Sequence, residues 1–97
     1  MANKMRPIHP EEQLQDELDE MGMSGTAFAA AIHVPANRIT DILRQKRGIT
    51  ADTALRLARY FGTTADYWMN LQKAYELRLA EQTVGKEISK TVKPRAA

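Results

Sequence analysis

Asn37, Asp41 and Arg44 recur at i, i+4 and i+7, the spacing of one face of a helix. An amide, a carboxylate and a guanidinium in one row are equipment for hydrogen bonding, not for a core. The Asn37 amide can pair bidentately with adenine N6 and N7, Asp41 can accept from cytosine N4, and Ala36 and Thr40 can touch a thymine methyl. A carboxylate beside phosphates is repelled, so Asp41 has a second reading as the partner of Arg38 or Arg44, each three residues away. Arg44, Lys46 and Arg47 follow where the row ends, and such a cluster suits clamping of phosphates, with Arg38 as a further cation. Ser24 and Thr26, at the start of the preceding helix, bring free backbone amides that can hold one more phosphate.

Other chemistry finds no footing. No nucleophile, base and orienting group stand together, and no glycine-rich phosphate loop occurs, so no catalytic residue is assigned. His9 and His33 lack a companion at metal-binding spacing, and neither a metal nor another cofactor is expected. His9 reads instead as a residue at a helix start.

Five helices must position these groups. The first is expected from about Pro10 to Met21, with Glu11 and Glu12 at its positive end, Leu14, Leu18 and Met21 as its apolar stripe, and Gly22 as its stop. The second runs from about Gly25 to Ile32 behind a Ser24 cap, with Phe28, Ala29 and Ile32 inward. The third, Ala36 to Gln45, buries Ile39, Ile42 and Leu43 opposite the polar row. The fourth follows Thr50 as cap and ends at Phe61 before Gly62, with Ala54, Leu55, Leu57, Ala58 and Phe61 buried. The fifth opens at Thr64 and is expected to reach about Thr83, weakening at Gly85. No segment alternates with period two for long enough to make a strand, so the fold class is all-α. The organisation expected is a flexible 1–8, a folded 9–86 and a basic, frayed tail over 87–97.

At 97 residues the chain is one domain with a modest core. There is no cysteine, which removes disulfides and thiolate metal sites and fits a reducing cytoplasm. No apolar run reaches the roughly 20 residues of a membrane span, and the start lacks the centre of a secretory signal. Net charge is only +2, but it is unevenly spread. Between Pro7 and Asn37 there are six acids and no Lys or Arg, whereas Arg38 to Arg59 holds six cations against Asp41 and Asp52. Two regions of opposite sign point to two different partners, or to one partner and a solvated acidic face. Arg56 and Arg59 read as the solvated side of helix four.

Only "IHVPA" separates helices two and three, so they must meet at a steep angle. That is a helix-turn-helix, whose second helix lies in the DNA major groove. Ala29 is small where the helices cross, and Ile32, Val34, Ile39 and Ile42 fill the space between them. The chain reverses at His33, where a positive φ is expected; histidine tolerates that region better than most residues other than glycine.

"IHPEEQLQDELDEMGMS" and "VPANRITDILRQKRGITADTALRLARYFGTTADYWMNLQKAYEL" together closely resemble the HigA/VapI branch of the Xre-type helix-turn-helix proteins, over about Arg6 to Lys86. "RGITADTALRLARYFG" and "YWMNLQ…YEL" are the specific parts. The resemblance implies a five-helix, phage-repressor-like fold, a homodimer on a palindromic operator, and an antitoxin that binds a small RelE-like ribonuclease toxin (HigB-type) and represses the shared operon. A dimer agrees with two-fold sites, which need two recognition helices about 34 Å apart. Its candidate surface is the long fifth helix: Trp68, Leu71, Tyr75 and Leu79 exceed what a small core needs, and since Trp68 and Leu71 also close that core, the contact is expected on Tyr75, Leu79 and the apolar residues beyond. A ribonuclease is normally basic, so Glu12, Asp16, Asp19 and Glu20 on the first helix form the candidate toxin face. A stand-alone repressor shares every DNA-binding residue. A helical protein-protein adaptor, the rival of another class, predicts no steep salt dependence on duplex DNA.

Overall fold

The computed structural model describes residues 6–96. Its helices are α1 (Glu11–Met21), α2 (Gly25–Ala31), α3 (Ala36–Leu43), α4 (Ala51–Phe61) and α5 (Ala65–Thr91). No strand occurs among the described residues. The caps follow local chemistry. Gly22 and Gly62 stop α1 and α4 at φ of 63° and 71°, a left-handed conformation that costs glycine little. Ser24 Oγ accepts from the Ala27 amide at 3.1 Å, and Thr64 Oγ1 accepts from the Tyr67 amide at 3.1 Å. Thr50 occupies the cap position of α4 but makes no side-chain cap bond; its hydroxyl donates to Thr53 Oγ1 at 3.4 Å.

Leu14 and Leu18 of α1, Phe28 and Ala29 of α2, Ile39 and Ile42 of α3, Ala54 and Leu57 of α4 and Trp68 of α5 form one core, joined by Ile32 and Ile49. Phe61 lies 5.5 Å from Phe28 and 5.8 Å from Trp68, centroid to centroid, so aromatic contacts run from α2 through α4 to α5. Three residues expected in this core are outside it, Ala58 being only partly buried. Met21 sits on the last turn of α1 and is exposed. Leu55 is 64 % exposed, because Thr53 takes the inward place on α4. At about 100° per residue Thr53, Ala54, Leu57 and Phe61 fill one arc, and Leu55 falls beyond its edge.

The fifth helix corrects the expected boundary most. It passes through Gly85 and reaches Thr91 rather than ending near Thr83. A glycine costs only about 1 kcal/mol in a helix interior, and the Thr91 hydroxyl donates back to the Glu87 carbonyl at 2.9 Å. Pro94 disfavours helical geometry at the residue before it, which sets the stop near Val92. A helix of 27 residues is about 40 Å long, so it outreaches the head, and the molecule measures 52 × 23 × 21 Å. No described helix is long and apolar enough to cross a membrane.

Candidate nucleic-acid interface

The turn between α2 and α3 reverses at His33, with φ of 60°. A non-glycine residue in that region needs outside support. It comes from Arg56 on α4, whose Nη1 donates to the carbonyls of Ile32 at 2.9 Å and His33 at 3.3 Å. These carbonyls end α2, where a cation also complements the helix dipole. Arg56 is therefore a structural brace of the motif and not merely part of a solvated face. Ala29 is buried as expected, and α2 also comes close to α3 at Gly25. A Cβ there would stand 2.9 Å from Leu43 Cδ1.

On α3, Ile39 and Ile42 are fully buried, while Ala36 and Asn37 are exposed and Thr40 and Asp41 partly so. Asn37 keeps its amide free of partners among the described residues. Asp41 pairs with neither Arg38 nor Arg44: its Oδ2 lies 4.0 Å from Arg47 Nη2. The helix ends at Leu43, two residues early, because Gln45 turns left-handed at φ of 60° and folds Arg47 back over Asp41. Arg38 Nη1 instead donates to Asp52 Oδ1 on α4 at 2.7 Å. Arg44 and Lys46 are exposed, and their side chains have no partner among the described residues. Ser24 and Thr26 are exposed at the start of α2.

The loop that carries the cations is anchored from behind. Gln45 Nε2 donates to Glu11 Oε1 at 3.1 Å. His9, buried at the start of α1, bonds the Arg47 backbone and accepts the Glu11 amide on Nδ1 at 3.0 Å, acting as the cap that Pro10 cannot supply. Gln72 on α5 is buried, and its Oε1 accepts the Ile49 amide at 2.8 Å. A Cβ on Gly48 would stand 2.6 Å from Gln72 Nε2, so a larger residue at 48 must displace the Gln72 amide. Sequence spacing did not single out Gln72, Arg56 or Gly25; the one available signal was a polar Gln72 interrupting the apolar spacing of α5.

Electrostatics follow these contacts. Burial pushes the His9 imidazole below its ordinary value. The Arg56 hydrogen bond, then Arg38, holds the Asp52 carboxyl below the usual carboxylate range, and Arg6 does the same for Glu12.

The remaining expected surfaces are placed as follows. Glu12 is paired with Arg6 at 2.9 Å, so it is not a free charge on α1. Asp16, Asp19 and Glu20 are exposed beside it, with Asp19 accepting from Gln15 at 2.9 Å. Trp68 is only 1 % exposed, its Nε1 donating to Thr63 Oγ1 at 3.0 Å, so the core consumes it and it offers nothing to a second chain. Leu71 packs on the core, Tyr75 stands edge-on to His9 at 4.7 Å, and Leu79 is partly exposed. Leu77, Val84 and Ile88, about half a turn from that stripe, are all exposed.

Residues 14–68, from the first core leucine to the buried tryptophan, match the helix-turn-helix family model. Virulence-associated protein I of Dichelobacter nodosus is 57 % identical over 81 residues, covering 82 % of this chain and 75 % of that protein. The chain belongs to the Xre-type helix-turn-helix family, in its HigA/VapI branch. An addiction module antidote protein of the HigA family from Coxiella burnetii superposes with a TM-score of 0.91 at 51 % identity, over 94 % of this chain and all of the other. The Pseudomonas aeruginosa antitoxin HigA, solved with the higBA promoter, superposes at 0.90 with 49 % identity, over 94 % and 100 %. This Xre-type frame explains why so many contacts converge behind α3: a HigA-like head must hold a short helix still while leaving one side of it bare.

Proposed function

We propose that this chain is the antitoxin and autorepressor of a type II toxin–antitoxin pair. In this reading a homodimer binds a palindromic operator and neutralises a small RelE-like, mRNA-cleaving toxin. The observation that carries it is the display of Asn37 and Thr40 on a braced helix, with Arg44 and Lys46 free beside them. Ala36, Asn37, Thr40 and Asp41 read bases; Ser24, Thr26, Arg44, Lys46 and Arg47 hold phosphates. The solved HigA with its promoter supports the DNA half, and Antitoxin HigA-1 of Vibrio cholerae, 35 % identical, supports the antitoxin half. Such a protein works in the cytoplasm. The functional unit is 9–86, extended by the rest of α5.

Dimerisation falls to the distal part of α5, where Leu77, Val84 and Ile88 make an exposed apolar stripe on the side away from Leu79. The toxin face is the acidic side of α1, borne by Asp16, Asp19 and Glu20 more than by the paired Glu12.

Binding to the DNA upstream of its own gene, titrated against salt, tests the first half. Asn37→Ala is expected to cost about 1–3 kcal/mol per half-site on that DNA and little on unrelated duplex. Binding without salt dependence would sink the repressor reading. Co-purification with the product of the adjacent reading frame, followed by RNA cleavage with and without this chain, tests the second half. A protein that binds the operator and leaves cleavage untouched is a stand-alone repressor. Charge reversal at Asp16, Asp19 and Glu20 that leaves toxin binding intact removes the acidic face from the proposal.

A further inference from the structure

Arg38 follows Asn37 on the recognition helix, yet its guanidinium does not join the outward row. About 100° of turn places it on the flank beside α4, where Nη1 meets Asp52 Oδ1 at 2.7 Å. The same oxygen accepts from Arg56 Nε at 2.8 Å, and Arg56 braces the turn. One exposed carboxylate on the first turn of α4 thus joins the recognition helix to the brace behind it. The cations at the other end of α3 are treated differently: Arg44 and Lys46 are free among the described residues, and Arg47 is held only loosely by Asp41 at 4.0 Å.

Resting on the DNA-binding reading, we propose that Asp52 is a specificity-determining residue: by engaging Arg38 it withholds that cation from the phosphates and keeps binding to unrelated duplex weak. Sequence-independent affinity is set by the number of cations offered to the backbone. Asp52 lowers that number by occupying Arg38. Discrimination comes from Asn37 and its neighbours, so a freed Arg38 strengthens every sequence alike and dilutes their contribution. The carboxylate therefore acts on DNA through Arg38, without touching DNA itself.

The test compares Asp52→Asn with the wild-type chain on operator and on unrelated duplex of equal length, at about 50 to 200 mM salt. The amide removes the charge that holds Arg38, while Arg56 Nη1 keeps its own bonds to the Ile32 and His33 carbonyls, and thermal melting checks that the turn is retained. The expected result is about three- to tenfold tighter binding to unrelated duplex, a log–log salt slope steeper by about one, and a lower operator preference. Asp52→Glu is expected to stay near wild type. In an Arg38→Gln background the gain is expected to vanish, since there is no cation left to release. Should Asp52→Asn fail to fold, Arg38→Gln alone decides. A withheld cation leaves the slope on unrelated duplex unchanged when it is removed, and a slope shallower by about one overturns the proposal. An unchanged slope and preference in Asp52→Asn overturns it too, as does a gain that persists without Arg38. A wild-type chain that shows no salt-dependent duplex binding removes the DNA-binding reading, and this inference with it.

Discussion

The outward row of α3 and the outward stripe of distal α5 are both bare, but they are built in opposite ways. Asn37 and Thr40 ride on a helix of eight residues, far too short to stand alone. It is fixed by Ile39 and Ile42 beneath, Arg56 at the turn before it, and Gln45, His9 and Gln72 behind the loop after it. Leu77, Val84 and Ile88 ride on a helix of 27 residues whose far half buries nothing in the chain itself. The difference follows from what each surface must do. A hydrogen-bonding reader works only when held close to its target geometry, so the fold invests buried polar contacts in it. Apolar association is non-directional and grows with area, so a protruding helix suffices.

Breaking the apolar side gives the largest expected effect. Leu77→Asp combined with Ile88→Asp removes two apolar side chains per chain from the proposed dimer contact, each worth about 1.5–3 kcal/mol when buried. Sedimentation is expected to show a monomer, and operator affinity to fall by at least about a hundredfold as one of two half-sites is lost. Thermal melting of the head changes little, because neither residue belongs to its core. A dimer that survives both substitutions places the contact elsewhere, first on Tyr75 and Leu79.

The same contrast explains what the sequence made legible. Periodicity and residue type found all five helices, the Ser24 cap and the Gly22 and Gly62 stops, because each is decided by residues within one turn of the chain. Periodicity also separated the polar row of α3 from its buried side. The braces were invisible for a different reason. Arg56 reaches back 24 residues to Ile32, Gln72 reaches 23 to Ile49, and Gln45 reaches 34 to Glu11. Beyond the polar break that Gln72 makes in the apolar spacing of α5, nothing local marks a side chain that will bond to a distant segment. Leu55 failed for a related reason: apolar content alone does not say whether a residue lies at the centre of an arc or past its edge.

Gln72→Ala loosens the polar side without touching the apolar one. The Ile49 amide is then buried with no acceptor, a loss of about 1–3 kcal/mol, and Gly48 no longer has a side chain packed on it. Denaturant midpoints are expected to fall accordingly. Operator affinity is expected to fall further than stability, since the loop bearing Arg44, Lys46 and Arg47 loses its anchor, while the dimer constant stays put. Gln72→Glu keeps the accepting oxygen and separates the lost bond from lost packing. Equal losses in DNA binding and dimerisation would mean that the two regions are not independently held.

The smallest effect comes from His9, the anchor that titrates. Its Nδ1 accepts the Glu11 amide, so that nitrogen must be unprotonated in the native chain, and burial lowers the pKa from its ordinary value of 6.5. Nearby Glu11 and Glu12 and the bond to the Arg47 backbone pull the other way, but burial prevails. A depressed pKa means that the unfolded chain takes up the proton first as pH falls, so stability is highest above 6.5. It declines from there until the native imidazole also protonates, and this contribution is flat below that point. Asp52 and Glu12 add their own loss only at lower pH, below the ordinary carboxylate values of 3.8 and 4.5. Melting curves between about pH 7 and pH 5.5 are expected to show the decline in the wild-type chain. In His9→Asn, which keeps a capping oxygen but does not titrate, the decline is expected to shrink. The Arg47 contact favours the protonated imidazole, so this proton is not expected to loosen the clamp, and the dimer on α5 is expected to be unmoved. A decline of equal size in His9→Asn assigns the proton to another group and leaves His9 as a cap alone.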